Sequence, residues 1–132
     1  MIVHGEGLRQ YIETKLDCRL RPDAQFLGRE RDGVLLGVCG FQDWTYDDVE
    51  LVWAGERGFG SKELARVCWH YVWETLGCVR CTGRIRADNT HSLALAERMG
   101  FKREGLLRQA WKGHDVHIVG MLKEECMFYG RK

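Results

Sequence analysis

The segment 49–86 constrains the fold more than any other, because its pattern changes from strand to helix and back. The apolar run VELVW is followed by a glycine-rich loop, and Ser61 then precedes apolar residues at helical spacing that stop at Gly77. The strand-like run VRCTGRIR comes next. A strand, a crossover helix and a second strand predict that residues 49–53 and 79–86 run parallel, with a right-handed connection.

The remainder of the chain favours antiparallel pairing. Residues 6–17 have the spacing of an amphipathic helix, and the Asp-Gly pair at 32–33 lies between two apolar runs, which predicts a tight hairpin. A short helix begins near Asn89 and ends at Gly100, and a hairpin turns around residues 112–115. We therefore expect an α+β fold, with a mostly antiparallel sheet and one parallel pair at its centre.

Size and charge exclude several classes of protein. With 132 residues and 45% hydrophobic content, residues 1–132 are expected to form one domain. The net charge of +1 gives no field that would favour nucleic acid or an anionic membrane, so we expect neither as a partner. No apolar stretch approaches the roughly 20 residues of a membrane span, and the N-terminus lacks the pattern of a secretory signal. These features are typical of a cytoplasmic protein.

The cysteine and histidine pattern predicts no metal site. Of the six cysteines, Cys78 and Cys81 are close in sequence, but on a strand this odd separation places them on opposite faces. A zinc site would want a second such pair, and the sequence has none. His114 and Asp115 fall in a hairpin turn, and His117 alternates with apolar strand residues. We expect reduced, mostly buried cysteines and no bound metal.

The loop AGERGFGSK, residues 54–62, has the composition of a phosphate-binding turn. It is neither a P-loop, because its final Ser-Lys order is reversed, nor a dinucleotide fingerprint, because Glu63 stands where a third glycine is needed. Gly58 and Gly60 would let backbone N–H groups converge on a diphosphate at the helix N-terminus. By itself, this spacing is better explained by a turn from strand to helix.

A second motif changes the interpretation of the loop. Asn89-Thr-His-Ser92 begins the short helix, and the run GFKREG follows its end. Together with the glycine loop and the crossover, these motifs resemble the GNAT superfamily of acetyl-coenzyme A (acetyl-CoA)-dependent N-acetyltransferases. The likeness covers about Val34 to Lys123, and it is greatest to small bacterial and phage members and to the branch that acetylates ribosomal-protein N-termini. It implies that the parallel pair splays apart, with helices on both faces of the sheet.

The resemblance also implies which residues bind acetyl-CoA. The loop would hold its pyrophosphate, and backbone groups at the end of the preceding strand would bond the pantetheine arm and the acetyl oxygen. The family's usual Gln or Arg at the start of the loop is replaced here by glycine, so Arg57 would supply the charged contact. The implied cofactor-binding residues are Trp53, Ala54, Gly55, Arg57, Gly58, Phe59, Gly60, Ser61 and Asn89.

Catalytic groups are less clearly marked. An amine must lose a proton before it attacks, and Glu50, a charge within VELVW, is our candidate base. Ser92 is the candidate proton donor, since Ala96 stands where many relatives carry a tyrosine. Both have ordinary alternatives, a solvated strand residue for Glu50 and a first-turn helix residue for Ser92. Trp111 is expected to shape the acceptor pocket.

These inferences lead to two hypotheses. The first is an N-acetyltransferase in which a small-molecule or peptide amine attacks acetyl-CoA directly; the acceptor is left open among a protein N-terminus, lysine, a polyamine and an aminoglycoside. The second is a domain of this fold that no longer catalyses and serves binding or assembly, for example in a phage. Ala96, Gly55 and a first strand limited to residues 1–4 motivate it. Relatives often associate through their terminal strands, so a homodimer is an alternative to a monomer.

Overall fold

The computed structural model describes residues 1–129 and contains a seven-stranded sheet with strand order β1-β2-β3-β4-β5-β7-β6. The strands are β1 (Ile2–His4), β2 (Gln25–Arg31), β3 (Val34–Gln42), β4 (Glu50–Gly55), β5 (Arg80–Arg86), β6 (Lys102–Trp111) and β7 (His114–Leu122). The helices are α1 (Arg9–Leu16), α2 (Lys62–His70) and α3 (Thr90–Met99). Two 3₁₀ turns (Glu6–Leu8 and Lys123–Glu125) and a π-helical turn after α2 (Tyr71–Thr75) complete the elements.

The predicted mixed sheet is confirmed. β4 and β5 are parallel, and every other pair of neighbouring strands is antiparallel. The crossover through α2 returns the chain to the end of the sheet at which β4 began. β5 therefore runs in the same direction as β4. The four N-terminal residues do supply a short edge strand, in which Val3 lies opposite Gly28 of β2.

Helices cover both faces of the sheet, as expected. On one face, α2 and α3 bury Leu64, Trp69 and Ala96 against β3, β4 and β5. On the other face, α1 buries Ile12 against a second cluster that includes Val38. The alternation of side chains along each strand directs odd and even residues to different cores.

The start of α2 and the end of α3 form where the sequence predicts them, whereas α2 ends at His70 and continues as the π-helical turn to Thr75 instead of running as one helix to Gly77. The Ser61 Oγ accepts a hydrogen bond from the Leu64 N–H at 3.0 Å, and this bond caps α2. Gly100 ends α3 with a φ of 118°, and a Cβ at this position would collide with the Glu125 carbonyl. Only glycine suits that site, because both the backbone conformation and the close approach exclude a side chain.

The carboxyl-terminal hairpin closes the sheet, with β6 at its free edge. Glu104 of β6 reaches across β7 to Arg80 of β5, and Oε1 lies 2.7 Å from Nη2. The ion pair passes over Gly120, where any Cβ would meet both partners. Because Gly120 of β7 has no side chain, the ion pair can cross β7 and join β6 to β5.

Candidate active site

The two parallel strands diverge just after they meet. The Thr82 N–H donates to the Val49 carbonyl at 2.9 Å, and among residues 1–129 the only pair of residues in register between β4 and β5 is Glu50 and Thr82. Beyond this point β4 continues beside β3 as far as Gly55. The expected splay is therefore present, with its apex at Glu50 and Thr82.

The divergence leaves backbone groups of β4 directed into the opening. Successive residues of a strand direct their N–H and C=O groups to opposite neighbours. The Val49 carbonyl bonds β5, whereas the Glu56 N–H bonds the Leu36 carbonyl of β3 at 2.7 Å. By this alternation the N–H and C=O of Trp53 point into the opening. Those of Ala54 point to β3, so Ala54 does not share the backbone role predicted for it.

An open cleft of about 340 Å³ occupies the divergence. One wall is the end of α1, and the other is the first turn of α3. Lys112 in the β6–β7 turn lies 2.6 Å from Asp17 at the end of α1, which ties the hairpin to that wall. The lining residues are Lys15, Leu16, Leu51, Val52, Trp53, Arg84, Ile85, Arg86, Asp88, Asn89, Ser92 and Trp111. Trp111 thus lies at the cleft, and its role in shaping an acceptor pocket stays a prediction.

Arg29 of β2 orients the glycine loop, a role that sequence reasoning did not anticipate. Its Nη1 donates to the Phe59 carbonyl at 2.8 Å and lies 3.4 Å from the carbonyls of Gly58 and Gly60. In a trans peptide the N–H points opposite to the C=O. The N–H groups of Gly60 and Ser61 therefore point away from Arg29, and no hydrogen bond occupies either of them within residues 1–129.

The ring of Phe59 fixes the loop to the sheet. It packs over Gly37 of β3 and Gly55 of β4, and a Cβ at Gly55 would lie 2.6 Å from the ring. A Cβ at Gly37 would lie closer still. Phe59 therefore acts on the loop through packing, and Gly55 is required for that packing.

The rest of the loop is exposed. Gly58 adopts a φ of 74°, and nothing lies within 4 Å of a Cβ built at Gly58 or Gly60. Arg57 is exposed and makes no hydrogen bond or ion pair within the described chain. The loop thus presents free N–H donors, an unpaired guanidinium and the N-terminus of α2 beyond the end of β4, although residues 54–62 are not among those that line the cleft itself. This arrangement suits an anion such as a diphosphate.

Glu50 lies at the apex of the divergence, on the face covered by α1. Its Oε1 accepts a hydrogen bond from the Gln42 Nε2 at 3.1 Å. Burial raises the pKa of the Glu50 carboxyl, while the Gln42 hydrogen bond and the charge of Arg84 oppose that rise. A carboxylate with a raised pKa is a stronger base than an ordinary glutamate.

The first turn of α3 brings two predicted residues to the cleft, whereas Glu50 is not among its lining residues. The Asn89 Oδ1 accepts a hydrogen bond from the Ser92 N–H at 3.2 Å, so this amide caps the helix. The Ser92 hydroxyl has no hydrogen-bond partner in the part of the chain that the structure describes, and it lines the cleft. Ala96 is fully buried in the core and contributes nothing to the opening.

The structure also brings charged residues together that sequence reasoning missed. Arg84, Arg86 and Asp88 line the cleft from β5 and the following turn, and Lys15 lines it from α1. The alternation of side chains along VRCTGRIR could have placed Arg84 and Arg86 on one face of the strand. The sequence does not show that α1 covers that face. Among residues 1–129, no three His, Cys, Asp or Glu side chains are grouped so as to hold a metal ion. None of the described helices has the length and apolar character to cross a membrane.

Comparison with known protein families identifies the family of this chain. The family model described as an acetyltransferase (GNAT) domain matches residues 5–102. The chain belongs to the GNAT family. It is therefore an N-acetyltransferase, and the resemblance in the sequence is confirmed.

Individual relatives agree with the family. The uncharacterized N-acetyltransferase p20 of Bacillus licheniformis is 28% identical over 89% of this chain and 72% of its own length. An SPbeta prophage-derived uncharacterized N-acetyltransferase of Bacillus subtilis, YokL, is 25% identical over 92% of this chain and 72% of its own. Mutant forms of the spermidine/spermine N-acetyltransferase SpeG of Vibrio cholerae share the fold, with a TM-score of 0.77, 15% identity and 99% coverage of both chains.

Proposed function

We propose that this GNAT enzyme takes an acetyl group from acetyl-CoA and transfers it to a primary amine by direct attack, without a covalent enzyme intermediate. The observation that carries the proposal is the opening beyond Glu50 and Thr82. Free backbone groups of Trp53 line that opening, and the outward N–H groups of the glycine loop lie at the end of the same strand. A nucleotide thioester needs both features, a polar edge for its arm and donors for its phosphates.

The residues of the loop fit the phosphates of this donor. Within residues 1–129 the N–H groups of Gly60 and Ser61 are unoccupied and the charge of Arg57 is unpaired, and the α2 dipole favours an anion by roughly 0.3–1 kcal/mol per charge. Because the space beside Gly58 and Gly60 is empty, a phosphate can approach the backbone closely. Asn89 lines the cleft, and its amide N–H₂, which makes no hydrogen bond in the part of the chain that the structure describes, is available to acetyl-CoA.

The chemistry assigns a role to each group at the apex. The thioester supplies an activated acetyl carbonyl and a thiolate leaving group. The amine nitrogen forms the new bond to that carbonyl carbon, and the C–S bond breaks. Glu50 accepts the proton from the amine, directly or through water, and Ser92 donates a proton to the departing sulfur and regains one from solvent. The Trp53 N–H is directed at the opening, where negative charge develops on the carbonyl oxygen.

The test is a thiol-release assay with acetyl-CoA and a panel of primary amines, combined with intact-mass detection of acetylated products. We expect release of free thiol that depends on an amine, with a mass gain of one acetyl group on that amine. Acetyl-CoA should also raise the melting temperature, and Gly60→Trp should abolish that shift. If acetyl-CoA binds but no amine in a broad panel is acetylated, the alternative of a binding or assembly domain replaces this proposal.

A further inference from the structure

Arg84 is the one cation of the cleft that makes no hydrogen bond or ion pair among residues 1–129. The Lys15 Nζ lies 2.7 Å from the Glu56 Oε1, and the Arg86 Nη2 lies 2.7 Å from the Asp88 Oδ2. No hydrogen bond or ion pair joins the Arg84 guanidinium to any other described residue, although it lines the cleft and is exposed.

The position of Arg84 on β5 places it beside the candidate base. Its neighbours Gly83 and Ile85 face the core under α2 and α3, so Arg84 faces the α1 side. Thr82 shares that face and lies opposite Glu50. Arg84 is two residues further into the opening, and its charge lowers the pKa of Glu50 against the effect of burial. A proton acceptor and an unpaired cation therefore lie on one side of the apex.

We propose that the acceptor is an amine that carries a carboxylate or a similar anionic group a few bonds from its nitrogen. The inference rests on the proposed function and names its substrate class. Arg84 pairs with the anionic group, and this pairing orients the nitrogen between Glu50 and the thioester. A guanidinium matches the planar geometry of a carboxylate through paired N–H donors. A polyamine is disfavoured, because its second ammonium would approach Arg84 with the same sign of charge.

A matched series of acceptors tests the proposal. The amines are 4-aminobutyrate, 4-aminobutanamide and 1,4-diaminobutane, which place an anionic, a neutral and a cationic group at similar distances from the reacting nitrogen. We expect kcat/KM to be highest for the carboxylate, by about tenfold or more over the amide, and lowest for the diamine. Calorimetric titration of the same amines into protein saturated with coenzyme A should give the same order of affinity. A preference for the diamine overturns this inference but leaves the proposed function intact.

Variants at Arg84 separate substrate binding from an effect through Glu50. Arg84→Gln should lower kcat/KM for the carboxylate by about 10–100-fold and leave the amide nearly unchanged. Arg84→Glu should make the diamine the best of the three. Arg66→Glu makes the same charge change at an exposed position of α2 that has no ion pair among residues 1–129, and it should preserve the wild-type order. If Arg84→Gln lowers the rate equally for all three amines, Arg84 acts through Glu50 or the fold and the inference is wrong. Acetylation of no amine at all overturns the proposed function, and this inference with it.

Discussion

Glu50 lies opposite Thr82 at the position where β4 and β5 are still in register, and the strands separate immediately beyond it. The same position is braced from the preceding loop. The Thr82 hydroxyl lies 2.9 and 2.8 Å from the two carboxylate oxygens of Asp48, and the Arg80 Nε is 3.6 Å from Asp48 Oδ1. The candidate base therefore lies at a fixed apex, where a small shift would change the width of the cleft.

The first prediction concerns this brace. Thr82→Val keeps the shape of the side chain but removes the hydroxyl, which leaves the Asp48 carboxylate with Arg80 as its remaining partner. A hydrogen bond to a charged group contributes about 1.5–3 kcal/mol, so we expect a loss of roughly this size in the free energy of unfolding. Urea denaturation measures it. Thr75→Val, at an exposed residue after α2, is the control, and equal stability of the two variants would show that Asp48 does not hold the apex.

The second prediction is that Glu50 acts as the base. Glu50→Gln preserves the size of the side chain and can still accept the Gln42 hydrogen bond, so the fold should be retained. We expect kcat/KM to fall by about 100-fold or more. In the wild-type enzyme, activity should decline on the acid side as Glu50 is protonated, at a pH above the ordinary glutamate value of 4.5. Glu124→Gln, at an exposed site with no ion pair to any other described residue, should leave the profile unchanged.

The raised pKa of Glu50 also has a consequence for stability. Burial raises the pKa in the folded state above that of the unfolded chain, so the protonated form is favoured by folding. The stability gained from this group is present below the unfolded pKa and is lost as the pH rises through the folded pKa. Glu50→Gln should therefore be at least as stable as the wild type at neutral pH. Urea denaturation of both proteins from acid to neutral pH measures this difference. A variant that is less stable than the wild type near neutral pH would contradict the raised pKa.

Several parts of this site could be predicted because local sequence fixes them. Ser61 and Asn89 are polar cap residues before helical patterns, and both cap helices in the structure. The crossover predicts the parallel pair from segment order alone, without knowledge of tertiary contacts. Gly58 has the positive φ that a turn between strand and helix requires.

Other parts could not be predicted, since they depend on elements distant in sequence. Arg29 reaches the glycine loop across 30 residues, and nothing near Arg29 marks it as a loop contact. Arg84 looks like any strand arginine until α1 is placed over that face of the sheet. Ala54 was assigned to the opening together with Trp53, although neighbouring strand residues direct their backbone groups to opposite sides. Which of the two residues faces the opening depends on strand register, which the sequence does not specify.

The third prediction is that Arg29 prepares the loop for its anion. Arg29→Met keeps the aliphatic stem but releases the carbonyls of residues 58–60, so their peptides are free to rotate. We expect the affinity for coenzyme A to weaken by about tenfold or more, measured by isothermal titration calorimetry. Arg31→Met, an exposed arginine at the end of the same strand with no ion pair among residues 1–129, is the matched control. Equal affinity in the two variants would exclude the loop-orienting role.

The fourth prediction is self-association through β6. Residues 102–110 of this edge strand are all exposed, and Leu106 and Leu107 remain 51% and 36% exposed. A long, free strand edge with apolar side chains favours pairing with another strand. Light scattering should give a mass of twice the 15.3 kDa chain, and Leu106→Lys should reduce it to that of one chain. Val34→Lys, at an exposed valine on β3, should not. A wild-type mass of 15.3 kDa would rule out the dimer.

The fifth prediction uses Phe59 and Gly37 as a coupled pair. A methyl group at Gly37 would occupy the space of the Phe59 ring, so Gly37→Ala should cost about 1–3 kcal/mol in unfolding free energy and should displace the loop. Phe59→Ala removes the obstacle, and the double variant should therefore be about as stable as Phe59→Ala alone. Coenzyme A binding should stay weak in all three variants, because the ring that holds the loop on the sheet is displaced or absent. Urea denaturation measures the losses of stability, and calorimetric titration measures the affinity for coenzyme A.

Two outcomes would contradict this prediction. Strictly additive losses of stability would show that Gly37 is required for a reason other than the Phe59 ring. Wild-type affinity in Phe59→Ala would show that the loop keeps its shape without the ring.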